Sequence, residues 1–240
     1  MLEHVLNLGN QLKTDLDTSE GFTSVDYQKI VIVGMGGSGV AGDVLKLILN
    51  QYTNIDVEVR KTYNLTKTQI AARPFCLFIS YSGNTEETIS AAKNAIDENL
   101  EWAAISSGGE LLDLATKHNK KFVKVPDGLQ PRAAFGLMTK AVINYLPNQT
   151  KKIFINACEE AGNYLNNLTE DASNEVFEIS KDIANQIGSK TAVIYAGSDL
   201  TYLVAQRWKT QINENSKSKA YVGFMPEVHH NEILSWEADQ

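Results

Sequence analysis

Short apolar runs alternate with helical segments through the first half of the chain. The runs occupy residues 30–33, 57–59, 75–79, 103–105 and 122–125, and several are followed by Gly or Ser. Uninterrupted runs of this length are typical of strands buried on both faces of a parallel sheet, because the connecting helices cover both sides. The pattern therefore predicts an open α/β domain.

Other patterns flank this predicted domain. Leu2, Val5, Leu6, Leu12 and Leu16 follow helical spacing and predict a leader helix that packs on the domain and carries no chemistry. The polar stretch 147–150 interrupts the pattern and predicts a boundary. We therefore expect two domains, 1–148 and 149–240.

The second domain is predicted to start with helical segments that connect it to the first. It continues with a strand at Ala192–Ala196, a helix that runs toward Glu214 and a strand at Ala220–Phe224. Two strands rarely make a self-sufficient sheet. We therefore expect the second domain to be incomplete, or to depend on a partner chain.

The composition narrows the class of protein. The 22 Lys and Arg against 29 Asp and Glu give a net charge of −7, which disfavours a nucleic-acid-binding surface. No apolar stretch approaches the roughly 18 residues of a membrane span. Cys76 and Cys158 are too few for a disulfide framework, and the N-terminus lacks the pattern of a signal peptide. We expect a reduced, cytoplasmic protein.

A glycine-rich loop follows the first apolar run. Residues 34–39 read G-M-G-G-S-G, and a helix is predicted over residues 40–50. Backbone N–H groups and the positive end of a helix dipole favour an anion at such a loop. The glycine spacing also fits a dinucleotide site, but the second strand ends in Arg60 and Lys61, where that site has an acidic residue. A sugar phosphate, a dinucleotide and a purely structural turn all remain open.

Hydroxyl side chains follow the third apolar run. Residues 80–88 read S-Y-S-G-N-T-E-E-T, in which Asn84 is predicted to cap the next helix with Glu87 reaching back. Capping does not require Ser80, Ser82 and Thr85 together. Because the carboxyl ends of parallel strands lie at one edge of the sheet, the two loops together predict a pocket for a compact dianion.

Three charged or titratable side chains are candidates for chemistry. Arg132 follows Pro131 at a predicted helix start, where a cation is disfavoured unless an anion lies nearby, so it is either solvated or directed at a ligand. Glu214 lies at the end of a predicted helix, where it is either solvent-exposed or a general base. The adjacent His229 and His230 do not have metal-site spacing, so one of them is a candidate acid or base, or both cap a surface helix.

These segments together resemble the bifunctional phosphoglucose/phosphomannose isomerase family, whose domains have the sugar isomerase (SIS) fold. The similarity rests on four motifs and Glu214, namely G-M-G-G-S-G at 34–39, S-Y-S-G-N-T-E-E-T at 80–88, Q-P-R-A at 130–133 and H-N-E-I at 230–233. The resemblance implies an α/β protein with two SIS-type domains, in which helices flank parallel sheets in a flavodoxin-like three-layer arrangement. It extends from residue 29 onward.

The resemblance also implies an activity, which is the isomerisation of glucose 6-phosphate or mannose 6-phosphate to fructose 6-phosphate through a cis-enediolate. Glu214 is implied as the base, Arg132 as the cation that stabilises the enediolate, and His230 as the ring-opening residue. The sugar 6-phosphate is implied to bind at Gly36, Gly37, Ser38, Ser80, Ser82 and Thr85. The reaction needs no redox cofactor and no metal.

Two further expectations follow from the resemblance. His230 reaches the site from the neighbouring subunit in the family, which implies a homodimer with a shared active site. Family members also continue past the H-N-E segment and contribute a lysine near the C-terminus, so the second domain is expected to be shorter here than in the family. The alternative function is a regulatory SIS protein that binds a sugar phosphate without converting it.

Overall fold

The computed structural model describes residues 2–19, 27–170 and 175–236. Its backbone contacts separate two compact units, Met1–Asp171 and Ala172–Gln240. The helix that begins at Asn148 belongs by its contacts to the first unit. The boundary predicted between residues 148 and 149 lies at the start of this helix. The division into domains 1–148 and 149–240 stays a prediction.

In the described part of the chain, the first unit is built on a sheet of six strands. In chain order they are β1 (Asp17–Thr18), β2 (Lys29–Gly34), β3 (Asp56–Arg60), β4 (Phe75–Ile79), β5 (Trp102–Ser106) and β6 (Lys121–Lys124). Their order across the sheet is β1-β6-β5-β4-β2-β3, in which β2 to β6 run parallel and β1 runs antiparallel to β6. The five predicted strands are therefore confirmed, and β1 is an addition that the sequence pattern did not predict.

Helices connect these strands and extend the unit at both ends. They are α1 (Leu2–Leu6), α2 (Leu8–Lys13), α3 (Gly36–Tyr52), α4 (Lys67–Ala71), α5 (Glu86–Asp97), α6 (Gly109–Lys117), α7 (Phe135–Val142) and α8 (Asn148–Glu170). The predicted leader helix is divided into α1 and α2. Leu12 and Leu16 pack against the core as predicted.

The side chains of each central strand alternate between two apolar cores. Ile30 and Ile32 of β2 join the core that contains Leu45 of α3 and Met138 of α7. Val31 and Val33 point to the opposite core, which also contains Ala91 of α5 and other residues of α5 and α6. Helices thus cover both faces of the sheet, which explains the uninterrupted apolar runs and confirms the three-layer α/β architecture. None of the described helices is long and apolar enough to cross a membrane.

Over residues 175–236, the second unit contains two α-helices and a two-stranded parallel sheet. Its elements are α9 (Glu175–Ile187), β7 (Ala192–Ala196), α10 (Asp199–Gln211) and β8 (Ala220–Phe224). Ser198 caps α10 by accepting a hydrogen bond from the Thr201 N–H at 3.2 Å, and Thr201 reciprocates toward the Ser198 N–H. The two strands predicted for this part of the chain are confirmed.

Candidate active site

Two loops meet where the strand order of the first unit's sheet reverses. The chain leaves β2 through α3 toward β3, and leaves β4 through α5 toward β5 on the other side. Connections that diverge in this way leave a crevice beyond the carboxyl ends of the two central strands, and ligands bind there in open α/β sheets. The predicted glycine-rich and hydroxyl-rich loops both begin at this crevice.

The glycine-rich loop is shorter than the sequence predicts. The helix was expected to start at residue 40, but α3 already begins at Gly36, directly after Met35 in extended conformation. The candidate residues Gly36, Gly37 and Ser38 therefore form the first turn of α3. Met35 does not cap this helix with its side chain. The amides of a first turn lack partners within their own helix, so the turn favours a negatively charged group.

A direct hydrogen bond joins the two loops. The Ser38 hydroxyl accepts from the Tyr81 N–H at 3.1 Å, and the Ser38 residue is buried. The Ser38 hydroxyl hydrogen can still be donated, because the oxygen acts as the acceptor in this bond. The bond fixes the first turn of α3 against the start of the hydroxyl-rich loop.

The hydroxyl-rich loop is shaped by its own side chains. The Ser80 Oγ lies 2.8 Å from the Thr85 Oγ1 and accepts from the Gly83 N–H at 3.1 Å. Ser80 is fully buried, Thr85 is half-buried and Ser82 is exposed. The Ser82 Oγ accepts from the Asn84 N–H at 3.3 Å. The structure thus places Ser80 and Thr85 beside each other, while Ser82 lies on the solvent side of the same loop.

The predicted capping role of Asn84 is wrong. The residue that precedes α5 is Thr85, and it makes no side-chain capping bond. The Asn84 side chain instead donates to the carbonyl of Ser82, two residues earlier, at 3.2 Å and accepts from the Glu110 N–H of α6 at 3.1 Å. Asn84 therefore ties the loop to the next helix along the sheet, a contact across 26 residues that local spacing does not indicate.

Arg132 lies in a short 3₁₀ turn, Pro131–Ala133, and not in the first turn of an α-helix as the sequence predicts. The α-helix α7 begins only at Phe135. The turn packs on the glycine-rich loop, because a Cβ added to Gly37 would lie 3.2 Å from the Pro131 carbonyl oxygen. The structure therefore brings half-buried Arg132 to the same crevice as Ser38 and Ser80.

Tyr81 holds the segment that leads to Arg132, a role that the local sequence pattern does not predict. Its phenol donates to the Pro126 carbonyl at 2.9 Å and accepts from the Leu129 N–H at 3.0 Å. Burial raises the pKa of the Tyr81 phenol, an effect that the Leu129 amide opposes and the Asp127 carboxylate reinforces. The sequence hints at this role of Tyr81 only in that an aromatic residue stands between two serines of the loop.

Glu214 and His230 lie in the second unit. Glu214 is half-buried in the turn Ile212–Ser216, which continues from α10. Burial lowers the pKa of the nearby Arg207 guanidinium, and the Glu214 carboxylate opposes this shift. His230 is exposed and ends the 3₁₀ turn Glu227–His230. The meeting of these two side chains with the loops of the first unit stays a prediction.

Family models match both parts of the chain. Residues 25–122 match the SIS domain, and residues 178–240 match the bacterial phospho-glucose isomerase C-terminal SIS domain. A bifunctional phosphoglucose/phosphomannose isomerase of Caldicellulosiruptor bescii is 34% identical over 99% of this chain and 72% of its own length. The chain belongs to the bifunctional phosphoglucose/phosphomannose isomerase family.

Other relatives differ from this chain in length and from one another in their named reactions. The isomerase of the same name from Aquifex aeolicus is 38% identical over 88% of this chain, which spans 62% of the Aquifex protein's length. A relative from Sulfolobus acidocaldarius, 33% identical over 89% of this chain and 65% of its own length, is a D-glucosamine-6-phosphate 4-epimerase. Relatives that are about equally similar to this chain therefore carry the names of different reactions.

A solved structure supports the fold. The tagatose-6-phosphate ketose/aldose isomerase of Escherichia coli superposes with a TM-score of 0.61 over 96% of this chain and 63% of its own chain, at 14% sequence identity. This likeness confirms the SIS fold that the sequence motifs implied for this isomerase family member.

Proposed function

We propose that the protein interconverts glucose 6-phosphate or mannose 6-phosphate with fructose 6-phosphate. The observation that carries this proposal is the hydrogen bond between Ser38 and Tyr81 at the strand-order reversal, in a chain of the isomerase family. It unites an uncapped helix N-terminus with a loop of hydroxyl groups, and both features suit a single phosphoryl ester. The phosphate is proposed to bind at Gly36, Gly37, Ser38, Ser80, Ser82 and Thr85.

The proposed chemistry needs one proton acceptor and one cation. The Glu214 carboxylate removes the proton from C2 of the open-chain aldose, and the carboxyl group so formed, whose proton exchanges with water, delivers one proton to C1. A hydroxyl proton passes from O2 to O1 in the same conversion, so that no proton is gained or lost overall. The negative charge of the cis-enediolate intermediate is stabilised by the Arg132 guanidinium. His230 transfers the proton that opens the sugar ring.

A coupled assay of the protein with fructose 6-phosphate tests the base. Glu214→Gln should lower kcat by about 100-fold or more, because general bases contribute about 10²–10⁴-fold. The matched control is Glu178→Gln on α9, whose carboxylate accepts from the exposed Lys181 ammonium. Equal activity in the Glu214→Gln variant and the control would remove Glu214 from the mechanism.

The assay also separates this function from its alternatives. Proton NMR in D₂O should show deuterium entering at C1 and C2, whereas inversion of glucosamine 6-phosphate at C4 would assign the reaction named for the Sulfolobus relative. A thermal upshift with fructose 6-phosphate in the absence of turnover would assign a regulatory sugar-phosphate protein instead. Both results are read on the same preparation.

The shared active site is a separate part of the proposal. The protein is proposed to be a homodimer in the cytoplasm, where its two free and buried cysteines remain reduced. If His230 acts in the partner's site, a mixture of inactive Glu214→Gln and His230→Ala proteins regains about one quarter of wild-type activity, since half of the dimers are hybrids with one intact site. No recovery after subunit exchange would contradict the shared site.

A further inference from the structure

The buried amide of Gln11 lies in the leader segment, for which the sequence predicted no chemistry. Gln11 is in α2 and only 2% of its surface is exposed. A buried amide must find hydrogen-bond partners, because leaving its polar atoms unpaired costs about 1–3 kcal/mol. Its partners are all backbone groups more than 120 residues away, on either side of the start of α7.

These partners lie directly beside Arg132. The Gln11 Nε2 donates to the carbonyl of Ala133 at 2.9 Å, and the Gln11 Oε1 accepts from the Gly136 N–H at 3.0 Å. The same oxygen also lies 3.4 Å from the Leu137 nitrogen. One side chain thus satisfies the last carbonyl of the 3₁₀ turn and the first amides of α7.

The sequence around α7 explains why this bond is needed. The residue before the helix is Ala134, which has no side chain that can cap, and no residue in the stretch 130–134 is Ser, Thr, Asp or Asn. Gly136 leaves room for the incoming side chain, since a Cβ there would lie 2.6 Å from the Gln11 Cβ. The missing helix cap is therefore supplied by α2.

We propose that Gln11 is a positioning residue that holds the Arg132 turn in the geometry required for catalysis. The turn is fixed on both sides of Arg132, by the contact between Gly37 and Pro131 before it and by Gln11 after it. The effect of Gln11 on the reaction rate rests on the proposed function of Arg132. Gln11 itself lies behind the turn and acts on the reaction only through it.

The test replaces Gln11 by methionine, which has similar length but cannot make these hydrogen bonds. Gln11→Met should lower kcat about 10- to 100-fold with KM changed by less than about twofold, because a displaced arginine stabilises the enediolate less well while the phosphate loops are untouched. The control is Leu12→Ala, which weakens the packing of the same helix on the core and removes none of the hydrogen bonds that Gln11 makes. The control should lose stability and retain kcat.

A double-variant cycle shows whether the effect passes through Arg132. In an Arg132→Met background, adding Gln11→Met should cause no further fall in kcat. A full additional fall, or an equal loss of kcat in Leu12→Ala, would show that Gln11 only stabilises the fold and would overturn the proposal. Unfolding in urea establishes that each variant is folded under assay conditions.

Hydrogen exchange gives a readout that does not depend on turnover. The Gly136 and Leu137 amides should exchange faster in Gln11→Met than in Leu12→Ala of matched stability, and unchanged exchange contradicts the proposal. If Gln11→Met does not fold, Gln11→Glu retains the acceptor for Gly136 and loses the donor to Ala133, so kcat should still fall. If the wild-type protein lacks isomerase activity, the proposed function fails, and hydrogen exchange still decides whether Gln11 holds the turn.

Discussion

Gly83 shows how a single residue sets the shape of the hydroxyl-rich loop. Its backbone has a φ of +70°, and a Cβ at this position would overlap the carbonyl oxygen of Gly108. The Gly83 N–H also donates to Ser80, so a shift of this residue disturbs the hydroxyl group beside Thr85. Both the fold of the loop and its proposed phosphate site therefore depend on a glycine here.

Gly83→Ala should destabilise the protein by about 2–4 kcal/mol. About 1–2 kcal/mol comes from placing an L-residue at positive φ, and the rest comes from the overlap with Gly108. The control is Gly128→Ala, because Gly128 has a φ of +88° but nothing within 4 Å of its added Cβ. Urea unfolding should give about 1–2 kcal/mol for the control. Equal losses for the two variants would mean that the loop can relax away from Gly108.

Cys76 provides a pH-dependent test of the core. Burial in β4 raises the pKa of its thiol to about 12, whereas the thiol of an unfolded chain ionises near its ordinary value of 9.0. Above about pH 9 the thiol of the unfolded state loses a proton that the native state keeps. The free energy of unfolding therefore falls as the pH rises from 9 toward 12. Burial also raises the pKa of Cys158, so that thiol acts in the same direction.

The Cys76→Ala variant isolates this contribution. Between pH 8 and pH 10 the wild-type protein should lose about 1 kcal/mol more of its unfolding free energy than the variant does. Urea unfolding at both pH values measures the difference, and the absolute stability of the variant does not matter for the comparison. Parallel pH dependence in the two proteins would show that the Cys76 thiol ionises in the native state as it does in the unfolded state.

At the scale of elements, two glycines allow the leader segment to approach α8 closely. A Cβ on Gly162 would lie 2.7 Å from the Gly9 carbonyl oxygen and 2.6 Å from the Lys13 Cγ. The Lys13 ammonium also donates to Asn163 Oδ1 at 2.7 Å. Because α2 also carries Gln11, the distance between these helices sets where the amide reaches α7.

Gly162→Ala should therefore destabilise the protein despite the higher helix propensity of alanine. Overpacking costs about 1–3 kcal/mol, which exceeds the roughly 1 kcal/mol gained from propensity. The control is Asn167→Ala on the exposed side of α8, which should be neutral or slightly stabilising. Thermal unfolding of both variants gives the comparison, and a stabilised Gly162→Ala protein would contradict the close packing of α2 on α8.

The elements also show which features the sequence could reveal. The central strands were predictable because burial on both faces leaves an uninterrupted apolar run, and the two loops because glycines and hydroxyls cluster at strand ends. Strand β1 was not predictable from the sequence, because Asp17–Thr18 has no apolar periodicity and is defined by its pairing with β6. The roles of Asn84 and Gln11 depend on backbone groups 26 and more than 120 residues away. The spacing of residues along the chain does not predict contacts between such distant segments.

At the scale of the whole molecule, the apolar core is distributed unevenly between the two units. Both core clusters lie in the first unit. Among residues 175–236 the buried apolar side chains are only Ala196, Ala205, Ala220 and Val228. The tryptophans follow the same division, since Trp102 is 2% exposed while Trp208 and Trp236 are 46% and 57% exposed. The first unit thus contains nearly all of the burial that stabilises a fold.

We therefore expect residues 1–171 to fold alone and residues 172–240 to remain without a cooperative fold. A two-sided sheet with both cores intact has the burial that an independent domain needs, whereas a two-stranded sheet does not. The first fragment should show blue-shifted emission from Trp102 that moves to the red in one cooperative urea transition, and the second should show solvent-exposed emission at all urea concentrations. A sigmoidal transition in the second fragment, or a gradual one in the first, would mean that stability is not governed by this distribution of buried side chains.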